Sequence, residues 1–182
     1  MKILGIDPGI GICGFGLIEI QNRAKADAKV LDYGAVTTPI NTPLPARLKE
    51  LYESLTQVFD ETKPDVISVE KLFFSKNVTT GIAVAEARGI VILVAAQKNI
   101  PIFEYTPNEI KKSLTGYGSA DKHQMQEMVK IHLKLDQIPK PDDAADALAA
   151  AITHSLVAGY NDATHSANNL TDFVPGRRKN KV

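Results

Sequence analysis

Residues 2–7 (KILGID) form a short apolar run that ends on an acid, the pattern of a buried strand. A glycine-rich turn follows, then a second strand through FGLIEI (15–20) and, past the polar QNRAKADAK, a third over 30–38. Pro43 and Pro45 introduce a helix whose Leu48, Leu51, Leu55, Val58 and Phe59 fall on one 3.6-residue stripe. PDVISVE (64–70) is a short apolar strand that again closes on a carboxylate. Residues 79–98 are apolar on nearly every side, which predicts a helix buried in the core or against a partner chain. IPIFEY (100–105) reads as a fifth strand. Thr106-Pro107-Asn108-Glu109 spells a capping box with proline at the first helical position. GYGSADK breaks that helix, with Ser119 as the expected cap of the next, over 120–133. Pro139 and Pro141 precede a last helix in DDAADALAAAITHSLVAG. The order βββαβαβααα predicts an α/β fold around one central sheet over residues 1–158, without internal repeats. Residues 159–182 are polar, lack periodicity and end GRRKNKV, which predicts a mobile basic tail.

The length, 182 residues, suits one domain that buries well over half of its unfolded surface. Met1-Lys2 runs straight into an apolar strand with no small-residue cleavage site, so no secretory leader is expected. GIVILVAAQ, between Arg88 and Lys98, is too short to cross a bilayer. Cys13 is the single cysteine, so no internal disulfide can form and a reducing cytoplasm is the expected setting. Its glycine and apolar neighbours predict a small buried hydrophobe rather than a reactive thiol. Formal charge is zero, with 21 basic and 21 acidic residues. If four acids are committed to metal, 21 − 4 = 17 remain against 21 cations, so local clustering matters more than the total.

The acids decide the chemistry. Asp7 and Glu70 each close an apolar strand, where an ionised carboxylate is costly unless something positive meets it. Asp143 and Asp146, three residues apart, project from one face of the last helix's first turn. Four convergent carboxylates repel one another, and such a set persists most readily around divalent cations. Oxygen donors without a His or Cys set favour Mg²⁺ or Mn²⁺ over Zn²⁺. Two such ions about 4 Å apart suit phosphodiester displacement. Singly, each acid is equally well a turn, a strand end or a complement to a helix N-terminus.

Gly9-Ile-Gly11-Ile-Cys-Gly14 matches the G-x-G-x-x-G dinucleotide pattern, and Asp32, 18 residues beyond Gly14, imitates its ribose-binding acid. Two features argue against a nucleotide. Asp7 would repel a pyrophosphate, and GFGLIEI alternates like a strand where the fingerprint needs a helix. The glycines are instead expected to form a tight hairpin that lets a bulky anionic substrate approach Asp7.

GIDPG, VEKLFFSKN, GYGSADK and DDAADALAAAITH resemble, in order and spacing, the bacterial Holliday junction resolvases of the RuvC family, over roughly residues 1–158. The resemblance implies a ribonuclease H-like fold, a central mixed five-stranded sheet flanked by helices, and a homodimeric endonuclease that cuts four-way DNA junctions by symmetric paired nicks. Carried over position by position, Asp7, Glu70, Asp143 and Asp146 would be the catalytic, metal-binding acids, with Asp7 bridging two Mg²⁺ ions and Mn²⁺ as a substitute. The D-A-A-D spacing selects Asp143 over Asp142, which is left as a helix cap. Phe73 matches the family's base-contacting aromatic, whereas Phe74 is expected to pack in the core. Lys71, Lys76, Lys111, Lys112 and Lys122 would meet phosphates; Lys111 and Lys122 match basic family positions, and Lys112 also reads as a solvated face. Arg88 and the apolar helix around it are assigned to the dimer interface. Cooperation with RuvA and RuvB in recombination and repair is likewise implied. His154 is expected to be packed or hydrogen-bonded. An actin-like ATPase is disfavoured by the lack of a second glycine-rich loop, and a junction-binding protein without cleavage by the full set of four acids.

Overall fold

The computed structural model describes residues 1–22, 27–71 and 78–157, without the side chains of 78–80. Phe73, Phe74, Lys76 and the basic segment 159–182 lie outside the described residues.

Three strands meander first: β1 (Lys2–Asp7), β2 (Ile12–Asn22) and β3 (Asp27–Thr37), each antiparallel to the one before. Helix α1 (Leu44–Thr62) carries the chain to β4 (Val66–Glu70), which pairs parallel to β1. Helix α2 (Val78–Gln97) returns it to β5 (Ile102–Tyr105), parallel to β4. Helices α3 (Pro107–Thr115), α4 (Lys122–His132) and α5 (Asp142–Val157) complete the order. The sheet runs β3-β2-β1-β4-β5, so β1 sits in the middle of a mixed five-stranded sheet.

Alternation along the strands divides the core into two layers. Leu4 and Ile6 of β1, with Ile67 and Val69 of β4, pack against Leu51, Leu55 and Phe59 of α1 and Val91 and Val94 of α2. Ile3 and Val66 point the other way, toward Leu148 and Ile152 of α5 and toward Ile110, Leu114 and Val129 of α3 and α4. The expected stripe on α1 is present, with Leu51, Leu55 and Phe59 fully buried.

The Thr106–Glu109 capping box forms as expected, the Glu109 amide donating to Thr106 Oγ1 at 3.2 Å. The next helix departs from expectation. Asp121, not Ser119, is its cap, in a reciprocal box with Gln124 at 2.9 Å each way. A carboxylate that also meets the helix N-terminal charge makes the better cap here. Among the described residues no helix is long and apolar enough to cross a membrane.

Candidate active site

Asp7 and Glu70 end neighbouring parallel strands at the same edge of the sheet. The period of two turns both toward α5. On β1, a Cβ added to Gly5 would collide with the Ala147 carbonyl and stand 2.9 Å from the Ala151 nitrogen. On β4, the buried Ser68 hydroxyl donates to the Ala150 carbonyl at 2.6 Å. Helix α5 begins at that same edge, with Asp142 and Asp143 in its first turn and Asp146 following.

Gly9 makes the tight turn expected of it, since a Cβ there would strike the Ile12 carbonyl. Gly14 has another purpose than the sequence suggested. It pairs with Asp7 in the ladder, and a Cβ on it would run into the Asp143 carbonyl and lie 3.0 Å from Asp143 Cβ. It admits the first turn of α5, not the substrate, and so sets Asp143 beside Asp7.

The four acids share one electrostatic environment. Burial pushes the Asp7 carboxyl up to about 7, and Asp146, Glu70 and Asp143 push it the same way while Lys122 pulls it down. Glu70 is raised by burial and by Asp146, against Lys111. Asp146 is raised by burial despite Lys122, whose Nζ stands 3.3 Å from its carboxylate. An open cleft of about 200 Å³ joins Glu70 and Asp146 to Lys111, Lys122, Ile110 and Met125. Among the described residues no three His, Cys, Asp or Glu side chains are drawn together closely enough to hold an ion as they stand, so the acids converge without closing on one point. Their chemistry nonetheless fits a divalent cation. All the donors are hard oxygens, and their mutual repulsion is opposed only in part by two lysines.

Asp142 is not the expected cap. It is the first residue of α5, its carboxylate accepting from Lys140 Nζ at 2.7 Å and standing 3.7 Å from Lys122. The hydrogen bond from Lys140 is the main influence holding this exposed carboxyl below its ordinary range.

The profile of the family described as crossover junction endodeoxyribonuclease RuvC matches residues 3–154. The chain belongs to the RuvC family. A RuvC from Thermotoga petrophila is 50% identical over 168 residues, covering 92% of this chain and all of the relative. That of Thermotoga maritima is 51% identical over 165 residues, covering 91% and 96%. Among solved structures, Thermus thermophilus RuvC in complex with Holliday junction substrate superposes with a TM-score of 0.82 at 31% identity, covering 87% of this chain and 95% of that one. The ribonuclease H-like fold holds for this RuvC-family chain. The yeast mitochondrial resolvase Ydc2, at 15% identity and a TM-score of 0.60, shares the fold.

Of the other residues that the resemblance to RuvC singled out, Lys111 lines the cleft and Lys71 is exposed immediately after Glu70. Lys112 is exposed and lines no part of that cleft. Arg88 ion-pairs with Glu104 of β5 inside the chain. His154 is buried, its Nδ1 2.7 Å from the Tyr105 hydroxyl and its ring centroid 4.3 Å from that of Phe103. Cys13 is fully buried, and burial pushes its thiol up to about 12, in keeping with an inert hydrophobe.

Proposed function

We propose that this chain is an endonuclease that resolves four-way DNA junctions by hydrolysing phosphodiester bonds, and that Asp7, Glu70, Asp143 and Asp146 form its metal-binding catalytic set. The observation that carries the reading is the convergence of four acids from three elements on one sheet edge, with lysines on the rim of the same cleft. A DNA-binding module without chemistry has no use for negative charge beside its phosphates.

Asp7 feels all three other acids, and together with Glu70, Asp143 and Asp146 it would hold the divalent ions. Mg²⁺ is the proposed ion and Mn²⁺ its substitute. When bound, such ions supply Lewis acidity for the attacking water and for the leaving oxygen. Lys122 holds Asp146 and offsets the negative charge that an incoming phosphate would meet, and Lys111 offsets the charge of Glu70 from farther away. Buried Ser68 and the Gly5 and Gly14 contacts keep the acids from moving apart while substrate binds.

The enzyme acts as a homodimer. Along α2 the exposed Ile82 and Leu93 lie on one face with Gly89, beside which a Cβ would meet nothing within 4 Å in the chain. A second copy of α2 would cover that face, and two-fold symmetry would then give paired nicks. Residues 1–158 constitute the nuclease domain and 159–182 a basic extension. A cytoplasmic setting and cooperation with RuvA and RuvB fit a DNA substrate.

Purified protein mixed with a labelled four-way junction should give paired nicks only with Mg²⁺ or Mn²⁺, spare linear duplex, and lose cleavage in Asp7→Asn. Tight junction binding with no cutting in any divalent metal would refute the nuclease reading.

A further inference from the structure

Lys111 and Lys122 serve one flank of the acids, the side of β4, β5 and the helices that follow. On the other flank, past β2 and β3, Arg47 is held against the glycine turn, and no part of the mechanism above uses it. It lies in the first turn of α1, and its Nε donates to Thr38 Oγ1 at 2.9 Å. Thr38 is itself buried, at 5% exposure, its hydroxyl donating to the Ile10 carbonyl and its amide to the Gly11 carbonyl at 3.0 Å. Arg47 Nη2 reaches to within 3.5 Å of where a Cβ on Gly11 would stand. The guanidinium is thus fixed on the turn that directly follows Asp7.

A guanidinium has five N–H donors, and among the described residues only Nε–H has a partner, a neutral hydroxyl. No carboxylate pairs with Arg47 among the described residues, and α1 has no acid in its first turn. A positive side chain at a helix start opposes the helix dipole, so helix stability does not select it. The Nη groups of this half-buried guanidinium are not sealed from solvent, so their four N–H donors stand open to an arriving anion.

Building on the nuclease reading, we propose that Arg47, oriented by Thr38, is a phosphate-positioning residue. Its Nη groups would grip a backbone phosphodiester of the substrate DNA on the Asp7 flank, opposite Lys111 and Lys122. The strand order places β3 and β5 at the two ends of the sheet, about 19 Å apart at ordinary strand spacing. A polyanion laid across that edge must pass the acid cluster in the middle. Cations at both ends hold it down on either side of the repulsion, and a fork-shaped donor fixed by a buried threonine fixes its register as well.

The test uses the full chain and compares wild type, Arg47→Gln and Arg47→Lys for binding to a four-way junction over a salt series, without divalent metal so that no strand is cut. Arg47→Gln should bind roughly tenfold more weakly and lower the log–log salt slope by about one per protomer, equally for different junction sequences. Arg47→Lys should keep the wild-type slope. If Arg47 merely braces Thr38, both variants will melt lower by the same amount while keeping the wild-type slope, and the proposal is overturned. It is also overturned if Arg47→Gln keeps both the wild-type affinity and the wild-type slope. Wild type that fails to bind the junction at all overturns the nuclease reading, and this inference with it, and so is separable from a failure confined to Arg47.

Discussion

Gly14 faces the main chain of Asp143 so closely that no side chain fits between them. Gly14 lies opposite Asp7 in the β1–β2 ladder, so this one contact sets the spacing of two of the four acids. Gly14→Ala should push the first turn of α5 off the sheet and destabilise the fold by about 1–3 kcal/mol, as overpacking does. A calorimetric melt together with the Mg²⁺ dependence of junction cleavage checks it. Unchanged melting and an unchanged metal midpoint would show that α5 yields at no cost.

Asp146→Asn removes a charge that both Lys122 and the proposed metal use. Cleavage should fall at least about a hundredfold, because a metal's charge stabilisation is worth several kcal/mol and each 1.4 kcal/mol is tenfold in rate. Metal-free junction binding should hold or tighten, since one acid no longer repels the phosphates. Parallel losses of binding and cutting would point to misfolding instead.

The metal-free protein should be less stable at high pH. Asp7 titrates at about 7 in the fold against an ordinary value of 3.8, so between those limits the native state holds a proton that the unfolded state has released. Stability from this group is therefore complete below about pH 4 and is lost as pH rises toward 7. Mg²⁺, by stabilising the ionised acids, should raise the melting temperature far more at pH 8 than at pH 5, and Asp7→Asn should flatten the metal-free profile. Equal Mg²⁺ shifts at both pH values would contradict this.

Ser68→Ala deletes the buried hydroxyl that ties β4 to α5 two residues before Glu70. The expected cost is about 1 kcal/mol, or roughly 2–4 °C in Tm for a chain of this size. Single-turnover cleavage at saturating Mg²⁺ should stay within a few-fold of wild type, because the Gly5 and Gly14 contacts still seat the helix.

Leu93→Glu places a charge on the exposed apolar face of α2. Sedimentation should show the dimer giving way to monomer, and nicking should become unpaired. A dimer that survives this change must use another surface.

Much of this was legible in the sequence, for reasons that differ by element. Short apolar runs identified β1 and β4 and placed an acid at the end of each, and the α1 stripe and the Thr106 box were visible because both depend on local spacing. What escaped notice depends on contacts distant in sequence. Ser119 reads as a cap on residue type alone, and only the path of the chain shows that Asp121 fills the role. Asp142 lost the capping role because it falls one residue inside the helix. Gly14 read as room for substrate because nothing local says that α5, more than a hundred residues later, lies on it. Arg47 left one faint signal, a cation at the start of a helix with no acid beside it.

The strand order has a consequence for how this site can change. β1 is central, bonded on one side to β2 and on the other to β4, and Asp7 faces α5 only because it lies an even number of residues from Gly5 and Ile3. Inserting or deleting one residue in β1 would carry the carboxylate through the sheet into the layer of α1 and α2, away from the other acids of the set. β1 cannot change length: its residue count is as much a determinant of the chemistry as the aspartate itself.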